Sequence, residues 1–294
     1  MPEGARGPAG ARGWVFELAG GRRLEAGKRP LVVGILNVTP DSFSDGGVHA
    51  DARSAVEAGL RMIEEGADWI DIGGESTRPG SRPVPAAEQL RRVLPVLGGL
   101  RMRTPAPISI DTQDPDVGER SLAEGADILN DVGGFGDERW RSVVTRWKAP
   151  LVVMHMQGTP LDMQVDPRYP RGVTREVRAF FESRTQSLLD WGVDRSRIII
   201  DPGLGFGKRV QDNLELVRNI DVLKDLGYPV FIGASRKGFI EKAFGPAPFD
   251  QDTCTLTLNA FALCGGADML RVHNVKYTAA LVKLFVAVRS APMA

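Results

Sequence analysis

The chain has 294 residues, 43% hydrophobic and 25% charged, with 37 basic side chains balanced by 37 acidic ones. Zero net charge gives no global pull toward nucleic acid or an anionic membrane, and no apolar run reaches the roughly 18 residues of a spanning helix. Cys254 and Cys264 have neither metal-ligand spacing nor a disulfide framework, which suits the reducing cytoplasm.

Residues 1–12 combine Gly, Pro, Ala and Arg without an apolar signal core, and read as a flexible lead-in. Residues 13–294 read as a single domain. Within it, 13–27 carries two short alternating runs around Gly20-Gly21, the pattern of a β-hairpin. A rhythm then begins. The apolar, β-branched run 29–37 predicts a buried strand, and 54–67 a helix. Strand 68–74 precedes helix 86–102, inside which Pro95 is the residue able to break it. Strand 105–111, helix 115–126, strand 127–134, helix 138–148 and strand 149–156 follow. A long helix spans about 171–192. Strand 196–201, helix 212–227 and strand 228–234 come next. Two helical stretches flank a turn with Pro246 and Pro248, and strand 268–274 leads into a last helix.

Eight continuously apolar strands alternating with helices imply a parallel sheet covered on its outer side. Eight such units in this length fit an α/β fold of the (β/α)8 TIM-barrel type, here with a short N-terminal β-hairpin; a doubly wound sheet is the alternative. "EEGADW", "AEGADI" and "CGGADM" recur where a helix gives way to a strand, so their glycines read as C-caps at the barrel bottom. The five tryptophans fall at packing positions. His49 reads as a loop residue, and His155 as either a packed strand-end side chain or a member of the site.

The strand ends carry the chemistry. Asn37, Asp71, Asp111, Asn130-Asp131, His155 and Asp201 close six of the strands; Ser235, Arg236 and Lys237 follow the seventh; Arg271, His273 and Asn274 lie on the eighth. In this fold the C-terminal rim holds the site, and polar groups ending apolar strands are costly unless paired. Asp111, Asn130, Asp201 and Lys237 suit a planar heterocycle: carboxylates accept paired N–H bonds, asparagine gives and takes, lysine donates. Arg271, His273, Asn37 and Thr77 suit an anion, with Mg2+ held near Asn37 mainly through substrate phosphates and water.

"DPGLGFGK" (201–208) resembles a phosphate loop at first sight. Its glycines lack the four-residue spacing of a Walker loop, no Ser or Thr follows Lys208, and the third glycine comes too early for a dinucleotide fingerprint. The glycines are expected to bring the backbone close to a flat ring and keep Phe206 at the pocket wall, with Asp201 as the working residue and no role assigned to Lys208.

Together "NVTPDSFSDGG", "DIGGESTRPG", "SIDT", "LNDVGG", "MHMQGTP", "DPGLGFGK", "SRKGF" and "RVHNV" resemble the dihydropteroate synthases of folate biosynthesis, the sulfonamide target family, in order from about residue 30 to 285. The family usually has Asp where this chain has Asn274. The resemblance implies a Mg2+-assisted transferase that condenses 6-hydroxymethyl-7,8-dihydropterin diphosphate with p-aminobenzoate, releasing diphosphate. It implies a homodimer, and pterin contacts from Asp111, Asn130, Met154, Asp201, Phe206 and Lys237. Asn37, Thr77, Arg271 and His273 would take the diphosphate, with Asn37 also at the metal. Thr77, Arg78, Pro79, Phe206, Ser235 and Lys237 would border p-aminobenzoate. Lys237, Arg271, His273 and Asp111 would carry the catalysis, beneath mobile loops at 38–47 and 74–82. A pterin-dependent methyltransferase would share the ring readers but have no use for an anion site. A non-catalytic homologue would be expected to lose rim residues.

Overall fold

The strands of this chain sort their side chains by alternation. In the computed structural model, which describes residues 13–39, 47–245 and 250–292, ten strands form. β1 (Trp14–Glu17) and β2 (Arg23–Ala26) make an antiparallel hairpin around the turn Ala19–Gly21, where Gly20 and Gly21 both take positive φ. β3 (Leu31–Asn37), β4 (Trp69–Gly73), β5 (Ile108–Asp111), β6 (Ile128–Asp131), β7 (Leu151–Met154), β8 (Ile198–Asp201), β9 (Phe231–Ile232) and β10 (Met269–Val272) are all parallel. The sheet runs in chain order from β3 to β8 and joins β10 to both β3 and β9; an Ile200–Val230 bridge closes it. The expected barrel with its N-terminal hairpin is present. Residues 1–12, most of the 38–47 loop and the turn with Pro246 and Pro248 lie outside the described residues.

The helices cover the barrel: α1 (Gly47–Glu64), α2 (Ala86–Arg101), α3 (Pro115–Ala123), α4 (Trp140–Trp147), α5 (Val173–Asp190), α6 (Val210–Arg218), α7 (Ile220–Lys224), α8 (Gly238–Phe244), α9 (Gln251–Cys264) and α10 (Val275–Arg289). One open point is decided and two expectations need correction. α2 runs through Pro95, which lies on the exposed face of the helix. The expected helix 212–227 breaks at Asn219, whose ψ of 36° leaves the helical region. His49 belongs to α1, not to a loop. None of the helices among the described residues is long and apolar enough to cross a membrane.

Side chains alternate along each strand. Outward residues such as Ile70, Ile72, Ile108, Ile110, Val153 and Ile200 pack under the helices. Inward residues at the lower end, including Val33, Trp69, Ile128, Val152, Ile199, Phe231 and Met269, form a separate cluster with Phe16, Leu18, Leu24 and Ala26 of the hairpin. The hairpin thus plugs the bottom of the barrel. The three Gly-Ala-Asp motifs finish that end. Gly66, Gly125 and Gly266 cap helices at φ of 108°, 104° and 97°. Asp68, Asp127 and Asp268 then accept the backbone N–H of Val32, Ile108 and Val230 at 2.8, 3.0 and 2.7 Å. Asp127 also binds Arg22 of the hairpin and Arg101.

Phe16→Ala is expected to lower stability by about 3–5 kcal/mol through the cavity left in the plug. Thermal unfolding measures this. Both substrate KM values are expected to stay near wild type, because the plug lies at the opposite end from the rim.

Candidate active site

Higher in the barrel the inward positions turn polar. Asp71 of β4, Ser109 of β5, Asn130 of β6 and Arg271 of β10 form one layer; Asn37, Asp111, Met154, Asp201 and His273 form the mouth above it. Asp71 is fully buried and accepts hydrogen bonds from Ser109 Oγ, from Asn130 Nδ2 at 3.0 Å and from Arg271 Nε at 2.6 Å. Arg271 Nη2 reaches Asp111 Oδ2 at 2.8 Å. One guanidinium therefore neutralises two buried carboxylates, as low dielectric demands. Burial still drives the Asp111 carboxyl up from its usual range, with Arg271 opposing. Asp111 Oδ1 is buried and has no partner.

Asp71 was passed over as a mere strand end. Its contacts settle two orientations. Asn130 must present Nδ2 to it, so Oδ1 and the second N–H of the amide remain for a ligand. Arg271 commits Nε and Nη2 to carboxylates, leaving Nη1 for an anion.

Asp201 accepts from Gly203 N at 2.7 Å. Burial raises its pKa while Lys237 draws it back. Lys237 is half-buried after β9. Burial pushes its ammonium down to about 7 against the attraction of Asp201. Its Nζ donates to the Leu204 carbonyl and lies 4.1 Å from the Phe206 ring centroid. Phe206 packs with Met154, Val132 and Met163 in a small apolar cluster separate from the main core. Val132 and Met163 had no signal in the sequence, since Met163 comes from the irregular segment after β7.

Ser235 Oγ accepts the His273 backbone N–H at 3.1 Å and lies 2.9 Å from His273 Nδ1. Burial, with Arg236 and Arg271 nearby, lowers the imidazole to about 4, so it is neutral at pH 7. With Nδ1 accepting the serine proton, Nε2–H is the outward donor. Asn37 ends β3 beside Gly73. Among the described residues, no group of three or more His, Cys, Asp or Glu side chains could hold a metal ion. A neutral asparagine oxygen fits a Mg2+ ion that arrives with phosphate oxygens and water, not one caged by protein ligands.

Thr77, Arg78 and Pro79 stand on the loop after β4, with Arg78 and Pro79 exposed. Gly80 N donates to Pro160 O at 2.8 Å, tying this loop to the segment after β7. The Arg78 charge contributes to lowering the His273 pKa, which places it near the anion end. Asn274 caps α10, accepting from Tyr277 N at 3.1 Å, while its Nδ2 donates to Asp252 at 2.9 Å. Asp252 in turn pairs with Arg236 at 2.7 Å. Asparagine supplies the donor that an aspartate could not offer to this carboxylate.

Asp71→Asn removes the charge that balances Arg271 and lets the two amides compete for one orientation. Charged hydrogen bonds contribute about 1.5–3 kcal/mol, so pterin affinity is expected to fall about 10- to 100-fold. Calorimetric titration of a folded variant measures this, and unchanged affinity would refute the role given to Asp71.

Comparison with known proteins agrees with this geometry. A profile of the family described as "Pterin binding enzyme" matches residues 33–273. The dihydropteroate synthase of Synechocystis is 41% identical over 260 residues, covering 88% of this chain and 90% of that protein. The Escherichia coli enzyme is 37% identical over 262 residues, with 89% and 93% covered. Among solved structures, the Xanthomonas albilineans dihydropteroate synthase with 4-aminobenzoic acid superposes with a TM-score of 0.88 at 40% identity, covering 96% of this chain and 100% of that one. The same enzyme with 7,8-dihydropteroate gives 0.84 at 38% identity, with 95% and 100% covered. With the fold, the strand-end residues and these relatives in agreement, the chain belongs to the dihydropteroate synthase family of pterin-binding enzymes.

Proposed function

We propose that the barrel mouth carries out the transferase reaction of this family through positioning and electrostatics alone. The activity is that of a dihydropteroate synthase: p-aminobenzoate displaces diphosphate from 6-hydroxymethyl-7,8-dihydropterin diphosphate. The observation that carries the site assignment is Asp111 Oδ1, a buried acceptor with no partner at the barrel mouth. A buried carboxylate oxygen is stable there only if a ligand N–H completes it. The amino-pyrimidinone edge of a pterin supplies paired N–H donors, for Asp111 on one side and Asp201 on the other. Asn130 gives and takes a bond, and Lys237 donates to the ring carbonyl. Met154 and Phe206 form the apolar walls.

Arg271 Nη1, His273 Nε2–H and Thr77 take the diphosphate. Asn37 would hold Mg2+ together with the diphosphate oxygens; the ion would supply charge neutralisation on the leaving group. The C–O bond to diphosphate breaks first and its electron pair leaves with the anion. The resulting cation is delocalised into the pterin and offset by Asp111 and Asp201. The aniline nitrogen, a neutral nucleophile at pH 7, then attacks and releases its proton to solvent. No side chain needs to act as a strong base. Thr77, Arg78, Pro79, Phe206, Ser235 and Lys237 border p-aminobenzoate, and the tie between Gly80 and Pro160 supports a lid that keeps water from the cation.

The exposed apolar residues Leu214 of α6, Phe261 of α9 and Leu284 and Val288 of α10 support a homodimer. A cytoplasmic setting fits the two free cysteines, one buried and one exposed.

A diphosphate-release assay with and without p-aminobenzoate tests the reaction. Release that ignores the aniline, with no pteroate formed, would refute it. Arg78→Ala is expected to lower kcat far more than pterin diphosphate affinity; an unchanged kcat would remove the lid role. KM for p-aminobenzoate is expected to rise between pH 7 and 9 as Lys237 loses its proton, its ammonium pKa lying at about 7. Lys237→Arg keeps the charge through that range and is expected to flatten the rise.

A further inference from the structure

The segment Gly203–Lys208 hides a feature that the function above does not use. Gly203, Gly205 and Gly207 all take positive φ, at 65°, 82° and 60°. A side chain at Gly203 would meet the His155 carbonyl at 2.0 Å, and one at Gly207 the Gln157 carbonyl at 2.3 Å. The loop is therefore pressed against the end of β7. Five consecutive carbonyls, 203 to 207, each receive a side-chain donor. Gly203 and Phe206 carbonyls take Lys208 Nζ, both at 2.9 Å. The Leu204 carbonyl takes Lys237, the Gly205 carbonyl Gln164 at 2.7 Å, and the Gly207 carbonyl Tyr169 at 2.7 Å. A phosphate loop converges N–H groups on an anion. This loop does the opposite and presents carbonyls to side-chain donors, three of the five to lysines.

Lys208 is the central cation. It is 2% exposed, and besides those two carbonyls its Nζ meets His155 Nδ1 at 3.0 Å and the His155 carbonyl at 3.3 Å. Four acceptors surround Nζ, and the three N–H groups of an ammonium serve them better than the two of a neutral amine. Burial pulls the ammonium toward neutrality and the Asp201 carboxylate opposes it. His155 itself is held neutral by burial and by Lys208, so its ring nitrogen accepts.

We propose that Lys208 is a positioning residue for p-aminobenzoate, acting by gathering the His155, Gly203 and Phe206 carbonyls and so fixing the Phe206 ring and the Leu204 carbonyl that hold Lys237. The inference rests on the proposed placement of p-aminobenzoate beside Phe206 and Lys237. Phe206 and Lys237 also meet the pterin, but Asp111, Asn130 and Asp201 hold that ring from strands, so loosening the loop removes a larger share of the aniline contacts than of the pterin contacts.

Lys208→Met keeps the volume and removes the donors. In steady-state assays it is expected to raise KM for p-aminobenzoate by about tenfold or more while moving KM for pterin diphosphate much less. Lys208→Ala opens a carbonyl-lined cavity. Ammonium or ethylammonium chloride is expected to restore its p-aminobenzoate KM in a saturable way, and tetramethylammonium chloride at equal ionic strength is not. Lys208→Met, whose cavity is filled, is expected to show no such rescue. Wild-type KM values in Lys208→Met, or equal changes in both KM values, overturn the proposal. If Lys208→Ala does not fold, the split between the two KM values in Lys208→Met decides alone. Failure of the wild-type chain to form pteroate would instead strike at the reaction assignment, so the two outcomes are separable.

Discussion

The rim depends on one guanidinium. Arg271 lies between Asp71 and Asp111 inside the barrel, where neither carboxylate could stay charged alone. That pairing permits a polar layer above an apolar one. It also settles the lone pairs: Asp111 spends Oδ2 on Arg271 and keeps Oδ1 for a ligand, and Asp71 spends one N–H of Asn130. The groups expected to read a pterin edge and to receive its leaving anion are thus members of one charge network. Removing any member leaves an uncompensated neighbour in low dielectric.

The barrel needs that charge network confined to one end. The hairpin does this by filling the lower lumen with Phe16, Leu18 and Leu24 against Trp69, Phe231 and Met269. Trp69 and Phe231 stack with ring centroids 5.8 Å apart. Among the described residues, this apolar cluster separates the polar layer from the lower end of the barrel. At the bottom, charge serves a different end. The repeated aspartates Asp68, Asp127 and Asp268 accept strand N–H groups and pair with Arg29, Arg101 and Lys224. Similar ion pairs therefore act as latches at one end and line the candidate site at the other.

The period-two alternation was legible, because strands buried on both faces must be apolar outward throughout and can turn polar only inward near the rim. Asn37, Asp111, Asn130, Asp201, Arg271 and His273 are legible for that reason, Lys237 as a cation just after a strand, and the structure places them in the mouth and the polar layer beneath it. Asp71 did not stand out. Its role exists only through Arg271, 200 residues away, and no local pattern says which strand-end carboxylate an arginine will choose. Pro95 leaves continuity of α2 undecided in the sequence because its exposed position is a property of packing. Lys208 has no role legible in the sequence, because its partners are carbonyls set by the three left-handed glycines.

Two lysines at one loop show how surroundings divide a shared chemistry. Lys208 is enclosed by carbonyls and His155, so its charge is consumed by the fold. Lys237 has one carbonyl and the face of Phe206, remains half-buried, and titrates near neutrality. The first makes the loop rigid; the second can exchange partners when substrate arrives. Placed in this order, the fixed cation holds the wall against which the adaptable one works. The same division separates Asp71, fully satisfied, from Asp111, left one bond short. A reaction that needs no strong base can rest on such pairs, because what it requires is charge already in place when the carbon–oxygen bond breaks.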